Sequence, residues 1–213
     1  MKEVIIMIST LLSTFINKLI ILPGLLIAIT LHELAHGFTA YLMGDATAKN
    51  NGRLSLNPIV HIDPIGFLLL FVAGFGWAKP VPVNPMYFNN RKMGTILVSL
   101  AGPLANFILS IISAIILVTG IITNSLIIKI FELTLLYNIV LGVFNLLPFP
   151  PLDGSKILAS ILPTKYEMLF YRYEKYTYLL LIFLIMTNVI DRLLNPLIIL
   201  WYNLLVNITN ILL

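Results

Sequence analysis

Residues 32–36 read His-Glu-Leu-Ala-His and lie inside the apolar run LIILPGLLIAITLHELAHGFTAYLMG (19–44). Ionisable side chains are costly there: a central Asp, Lys or Arg in a spanning helix costs roughly 2.5–3.5 kcal/mol. On a helix, positions i and i+4 share one face a turn apart. His32 and His36 can therefore present two ring nitrogens to one ion, with Glu33 projecting beside them. This is the two-histidine zinc arrangement in which a glutamate activates a metal-bound water. The chain has only three histidines, and two stand at this spacing around a glutamate.

A catalytic zinc takes a third protein ligand and keeps one open position. The candidates are His61, Asp63, Asp153 and a few glutamates. Asp153 stands out because it follows a helix whose end is broken by Pro148, Pro150 and Pro151. Its carboxylate is expected to hang off irregular backbone near membrane depth, with Gly154 permitting a tight turn.

The elements that must position these groups are membrane elements. The chain of 213 residues is 59% hydrophobic and 10% charged, with a mean hydropathy of +1.00. A soluble domain carries about 25% charged residues. We therefore expect one membrane-embedded domain over 1–213, all-α, a polytopic bundle held in the lipid bilayer. The net charge of +4 is scattered, without a basic amphipathic face, which excludes a nucleic-acid partner. There are no cysteines, so thiolate metal sites and disulfides are ruled out.

Hydropathy places helices over about 20–43, 94–118 and 127–147, with further apolar stretches at 177–190 and 193–213 divided by Asp191-Arg192. Residues 1–18 read as an N-terminal membrane-associated helix. The polar stretch 44–66 reads as turns with a short strand at 53–56, and 155–176 as polar and amphipathic. Nine basic residues fall in 44–93 and 153–176, whereas 119–126 has none. By the positive-inside rule both basic loops are cytoplasmic. Residues 67–77, too short to cross as a helix, must then enter and leave on one side. We expect a re-entrant segment or short β-hairpin between the first two core helices. The prolines at 80, 82 and 85 that follow suggest an extended edge able to pair with an unwound peptide.

HELAH (32–36), AGPLAN (101–106) and FNLLPFPPLDG (144–154) together resemble the site-2 protease family of intramembrane zinc metalloproteases. The linking stretches GDATAKNNGRLSLNPIVHIDPIG and GFGWAKPVPVNP are similar to its compact branch without a PDZ module. The resemblance covers about 20–160, the expected catalytic core, with membrane helices at 177–213 behind it. It implies one zinc held by His32, His36 and Asp153, with Glu33 as base. It also implies endopeptidase action on a membrane-spanning or membrane-tethered substrate protein; from the apolar spans and basic loops we expect a multi-pass position in the cell membrane with the site on the cytoplasmic side. Asn106 has two readings: a catalytic donor to the oxyanion of a tetrahedral intermediate, or an amide joining helices. His61 either reaches the site from its loop or stabilises a turn, and Asn145 reads as a backbone tie. The rival functions are a metal-binding membrane protein without hydrolysis, or a membrane zincin of another family.

Overall fold

The computed structural model describes residues 2–73 and 76–212. Nine α-helices follow one another among the described residues: α1 Lys2–Leu42, α2 Thr47–Asn50, α3 Pro64–Ala73, α4 Arg91–Val118, α5 Ser125–Asn145, α6 Asp153–Ile161, α7 Thr164–Arg172, α8 Glu174–Met186 and α9 Val189–Leu212. Four contain stretches long and apolar enough to cross a membrane: Lys18–Leu42, Arg91–Val118, Ser125–Asn145 and Val189–Asn210. The protein is an all-α, multi-pass membrane protein.

Local chemistry explains the helix ends. Asn90 opens α4 by accepting from Met93 N at 3.1 Å, and Asn124 opens α5 by accepting from Leu126 N and Ile127 N. Each such cap stabilises a helix start by about 1 kcal/mol. Gly44, at φ +107°, stops α1, because a left-handed turn there suits a residue without Cβ.

Burial is reversed relative to a soluble bundle. The buried face of α4 is small and polar, with Gly94, Ser99, Gly102, Asn106, Ser110 and Ser113, while Leu97, Leu104, Ile108 and Ile112 face outward. Small residues let backbones approach where lipid removes the hydrophobic incentive to associate. Helices α1, α4 and α5 pack together as the core, α6 lies on α4, and α9 lies on α4 and α5. Leu135, Ile139 and Val143 of α5 join Leu152, Leu181, Leu194 and Leu205 in one apolar cluster.

Several expectations are corrected. Residues 2–18 are helical, as expected, but run on without a break into the first span as one helix, α1, with Pro23 inside it; Met1 lies outside the described residues. Residues 53–56 are loop, and among the described residues the only β pairing is one antiparallel bridge, Ile62 to Ala78. Most of 67–77 belongs to α3; residues 74 and 75 lie outside the described residues. The C-terminal break falls at Thr187-Asn188, with Asn188 at φ 56°, and Asp191 sits in the first turn of α9. Asp153 is the first residue of α6 rather than part of an irregular segment.

Candidate metal centre

The centre is assembled from α1, α4 and α6. Near its C-terminal end α1 carries His32 and His36 one turn apart, both buried. The proline-broken stretch 146–152 turns the chain so that α6 starts against the end of α5. A Cβ on Gly154 would lie 2.1 Å from the Leu146 carbonyl oxygen. Close approach, not a left-handed turn, is thus what requires glycine in the LDG motif. It brings in Asp153, itself only 4% exposed.

Three atoms converge. His36 Nε2 lies 3.0 Å from His32 Nε2 and 3.0 Å from Asp153 Oδ2, and His32 Nε2 lies 3.2 Å from Asp153 Oδ2. Among the described residues this is the one His/Asp/Glu group able to share an ion. The proton positions give the triangle its meaning. His36 Nδ1 is 2.7 Å from the Val98 carbonyl oxygen, which can only accept, so Nδ1 carries the proton. His32 Nδ1 is 2.6 Å from Asn106 Oδ1 and donates likewise. A neutral imidazole has one N–H, so both Nε2 atoms present lone pairs to a third acceptor, Asp153 Oδ2. The 3.0 Å separation of the two Nε2 atoms is then no hydrogen bond. With both rings neutral, three acceptors this close need a cation between them, and the group could hold a metal ion.

The donor set fits zinc. Tetrahedral coordination with bonds of about 2.0–2.1 Å needs ligand atoms about 3.3–3.4 Å apart, close to the triangle observed. Gly102 of α4 keeps the space free: a Cβ there would stand 2.4 Å from His36 Nε2 and 2.6 Å from His32 Cε1. Lys156 Nζ donates to Asp153 Oδ1 at 3.1 Å, leaving Oδ2 for the shared point. Glu33, half-buried, accepts from Val81 N through Oε2 at 2.8 Å.

The other candidates serve elsewhere. His61 is fully buried and its Nε2 donates to Ser55 O at 2.9 Å, so it stabilises its turn. Asp63 Oδ1 caps α3 by accepting from Ile65 N and Gly66 N. Asn145 Nδ2 donates to Leu141 O at 3.0 Å, a backbone tie, and Glu132 pairs with exposed Lys129. Asn106 is drawn into the centre, but an oxyanion-donor role does not fit its bonds. Its Nδ2 donates to Ala28 O and to Asn138 Oδ1, so both protons are engaged. Val98, Val81 and Asn138 were not singled out from sequence; only Asn138, one of two asparagines in an apolar span, carries a signal there.

The family model described as Peptidase family M50 matches residues 119–188, the stretch running from α5 through Asp153 into α8. The YwhC protein of Bacillus subtilis is 41% identical over 177 residues, covering 76% of this chain and 78% of that protein. The chain belongs to peptidase family M50, the site-2 proteases. The Rip2 protein of Mycolicibacterium smegmatis is 27% identical over 82% of this M50 chain and 69% of its own length. Zinc metalloprotease MJ0392 of Methanocaldococcus jannaschii is 32% identical over 68% of this chain and 35% of its own. No solved structure matches the chain. As an M50 member it is a membrane zinc metalloprotease.

Proposed function

We propose that this M50 protease is an intramembrane zinc endopeptidase acting on membrane-spanning or membrane-tethered proteins, with His32, His36 and Asp153 holding the ion and Glu33 as general base. The observation that carries this reading is the triangle of three lone-pair atoms 3.0–3.2 Å apart on buried His32, His36 and Asp153. A bound zinc supplies a Lewis acid and lowers the pKa of water to about 7. The Val81 N–H holds Glu33 Oε2, leaving the other carboxylate oxygen to take a proton from the attacking water and pass it to the departing amine.

Access supports a membrane substrate. Cavities of ≈ 380 and ≈ 480 Å³ both reach His32 and Glu33. The larger is apolar, bounded by Leu26, Ile29, Phe67, Leu70 and Phe144, and suits a segment arriving from lipid. The smaller has a mixed lining, with Thr95, Ser99, Ser155 and Lys156 beside Val83, Phe88 and Val98, and is the more polar of the two, which suits water. The segment holding 67–77 is read as re-entrant. Its ten-residue helix extends about 15 Å, half the hydrocarbon core, and the bridge between Ile62 and Ala78 returns the chain to where it left. With basic residues on both sides of it, the positive-inside rule sets the catalytic face toward the cytoplasm. The extended, proline-rich segment 79–84 beside Glu33 offers an edge for an unwound substrate.

The test is Glu33→Gln against Asp153→Ala in purified protein. Glu33→Gln is expected to keep stoichiometric zinc and lose cleavage of a membrane substrate, and Asp153→Ala to lose both. Cleavage by Glu33→Gln at a rate comparable to wild type would remove Glu33 from the role of base.

A further inference from the structure

The apolar spans α4 and α5 each bury an asparagine completely, Asn106 and Asn138. Asn138 Nδ2 donates to the Thr134 carbonyl oxygen at 2.8 Å, and Asn106 Nδ2 donates to the Ala28 carbonyl oxygen at 3.2 Å. Carbonyl oxygens only accept, so the orientation of both amides is settled. Asn106 Nδ2 must then also donate to Asn138 Oδ1, at 2.9 Å, and Asn106 Oδ1 must accept from His32 Nδ1–H, at 2.6 Å. The hydrogen bonds run one way, from the imidazole through Asn106 and Asn138 to Thr134 O, and join α1, α4 and α5. Gly24 permits the approach: a Cβ there would stand 2.9 Å from Thr134 N.

We infer that Asn106 and Asn138 form a buried amide relay that positions His32 and holds it as the Nδ1–H tautomer, so that Nε2 presents its lone pair to zinc. Asn106 acts directly on His32, and Asn138 acts through Asn106. The inference rests on the metal centre proposed above. The opposing view is that the two amides merely join helices. Amides that only join helices would lower stability in apo and loaded protein alike, leaving metal affinity and ligand geometry unchanged. A second-sphere partner of a metal-bound histidine moves both.

The test uses the full chain in detergent, stripped of metal, with zinc titrated against a chromophoric chelator and Co(II) read by its d–d absorption. Asn106→Leu, which removes the acceptor at similar volume, is expected to weaken zinc binding about 10–100-fold and to alter the Co(II) band. Asn106→Asp keeps an acceptor for Nδ1–H and is expected to recover most of the affinity. Asn138→Leu should act in the same direction but less, and should add little to Asn106→Leu, because linked residues are not additive. Should Asn106→Leu fail to fold, Asn106→Asp against Asn138→Leu carries the same comparison. Wild-type affinity and an unchanged Co(II) band in folded Asn106→Leu would overturn the relay, as would full additivity with Asn138→Leu. His32→Ala separates the two levels. If it binds zinc like wild type, the centre itself is misassigned; if it loses zinc while Asn106→Leu keeps it, only the relay fails.

Discussion

At the scale of single residues, the centre depends as much on an absent side chain as on those present. Gly102 faces the two imidazoles, and a methyl group there would overlap His36 Nε2 and His32 Cε1. Both rings are pinned from behind, by Val98 O and Asn106 Oδ1, so they cannot withdraw without breaking a buried hydrogen bond. Gly102→Ala is therefore expected to lower zinc affinity by at least about tenfold, the effect of disturbing the partners that orient a ligand, while the helical circular-dichroism signal stays at wild-type strength. Zinc content after dialysis against a weak chelator measures it. AGPLAN was legible as a motif, and its Asn106 as an amide able to join helices. That Gly102 meets the imidazoles of His32 and His36 was not legible, because a glycine carries no mark of what lies opposite.

At the scale of elements, the segment 78–88 behaves as a strap across the centre. Pro80 and Pro82 have no N–H, so Val81 is the backbone donor between them, and it is aimed at Glu33. Both ends are tied. Arg53 Nη2 donates to Lys79 O at 2.7 Å, and the fully buried Asp45 accepts from Asn84 N at 2.6 Å and from Thr47 N and Oγ1. Burial alone would raise the Asp45 carboxyl pKa, but these hydrogen bonds outweigh it and hold it below its ordinary value. A carboxylate whose folded pKa is depressed stabilises the fold above its unfolded pKa, about 3.9, and loses that stabilisation as pH falls through the folded value. The strap should accordingly keep its anchorage at neutral pH and loosen below about pH 4. Asp45→Asn should reproduce the loosening at pH 7, because an amide nitrogen cannot accept from Asn84 N. The loss expected is about 1–3 kcal/mol, read as faster amide hydrogen exchange over 79–84. The prolines marked this segment as extended in the sequence. Its tethers were not visible there, since Asp45 and Asn84 are 39 positions apart and look like ordinary turn residues.

At the scale of the whole molecule, the number of crossings sets how the chain lies across the bilayer. Four spans are long enough to cross, and the parity of crossings depends on 64–77. If that segment is re-entrant, the loops on either side of it share a compartment. The chain has no cysteine, so Lys49→Cys and Met86→Cys each introduce a single reporter at an exposed position. Both are expected to resist an impermeant thiol reagent in intact cells and to react in inverted vesicles. Reaction of one from each side would make 64–77 a crossing and reverse α4 and α5. The apolar helix at 94–118 was implied by hydropathy alone; which of its faces turns inward, and which helices it meets, was settled by packing.

Sequence by itself determined the membrane class and the apolar spans, and it singled out His32, His36 and Asp153 as candidate ligands. Each of these rests on a local rule: the length of an apolar run, the shared face of positions i and i+4 in HELAH, or a proline-broken helix end before Asp153. Tertiary structure alone decided what surrounds those groups. His36 meets Val98 O across 62 positions, His32 meets Asn106 across 74, and His36 meets Asp153 across 117. Such contacts depend on the register in which α1, α4, α5 and α6 pack, and glycines at 24, 102 and 154 leave room for the close approaches in it. A glycine reports that something comes close, but only the packed helices reveal what.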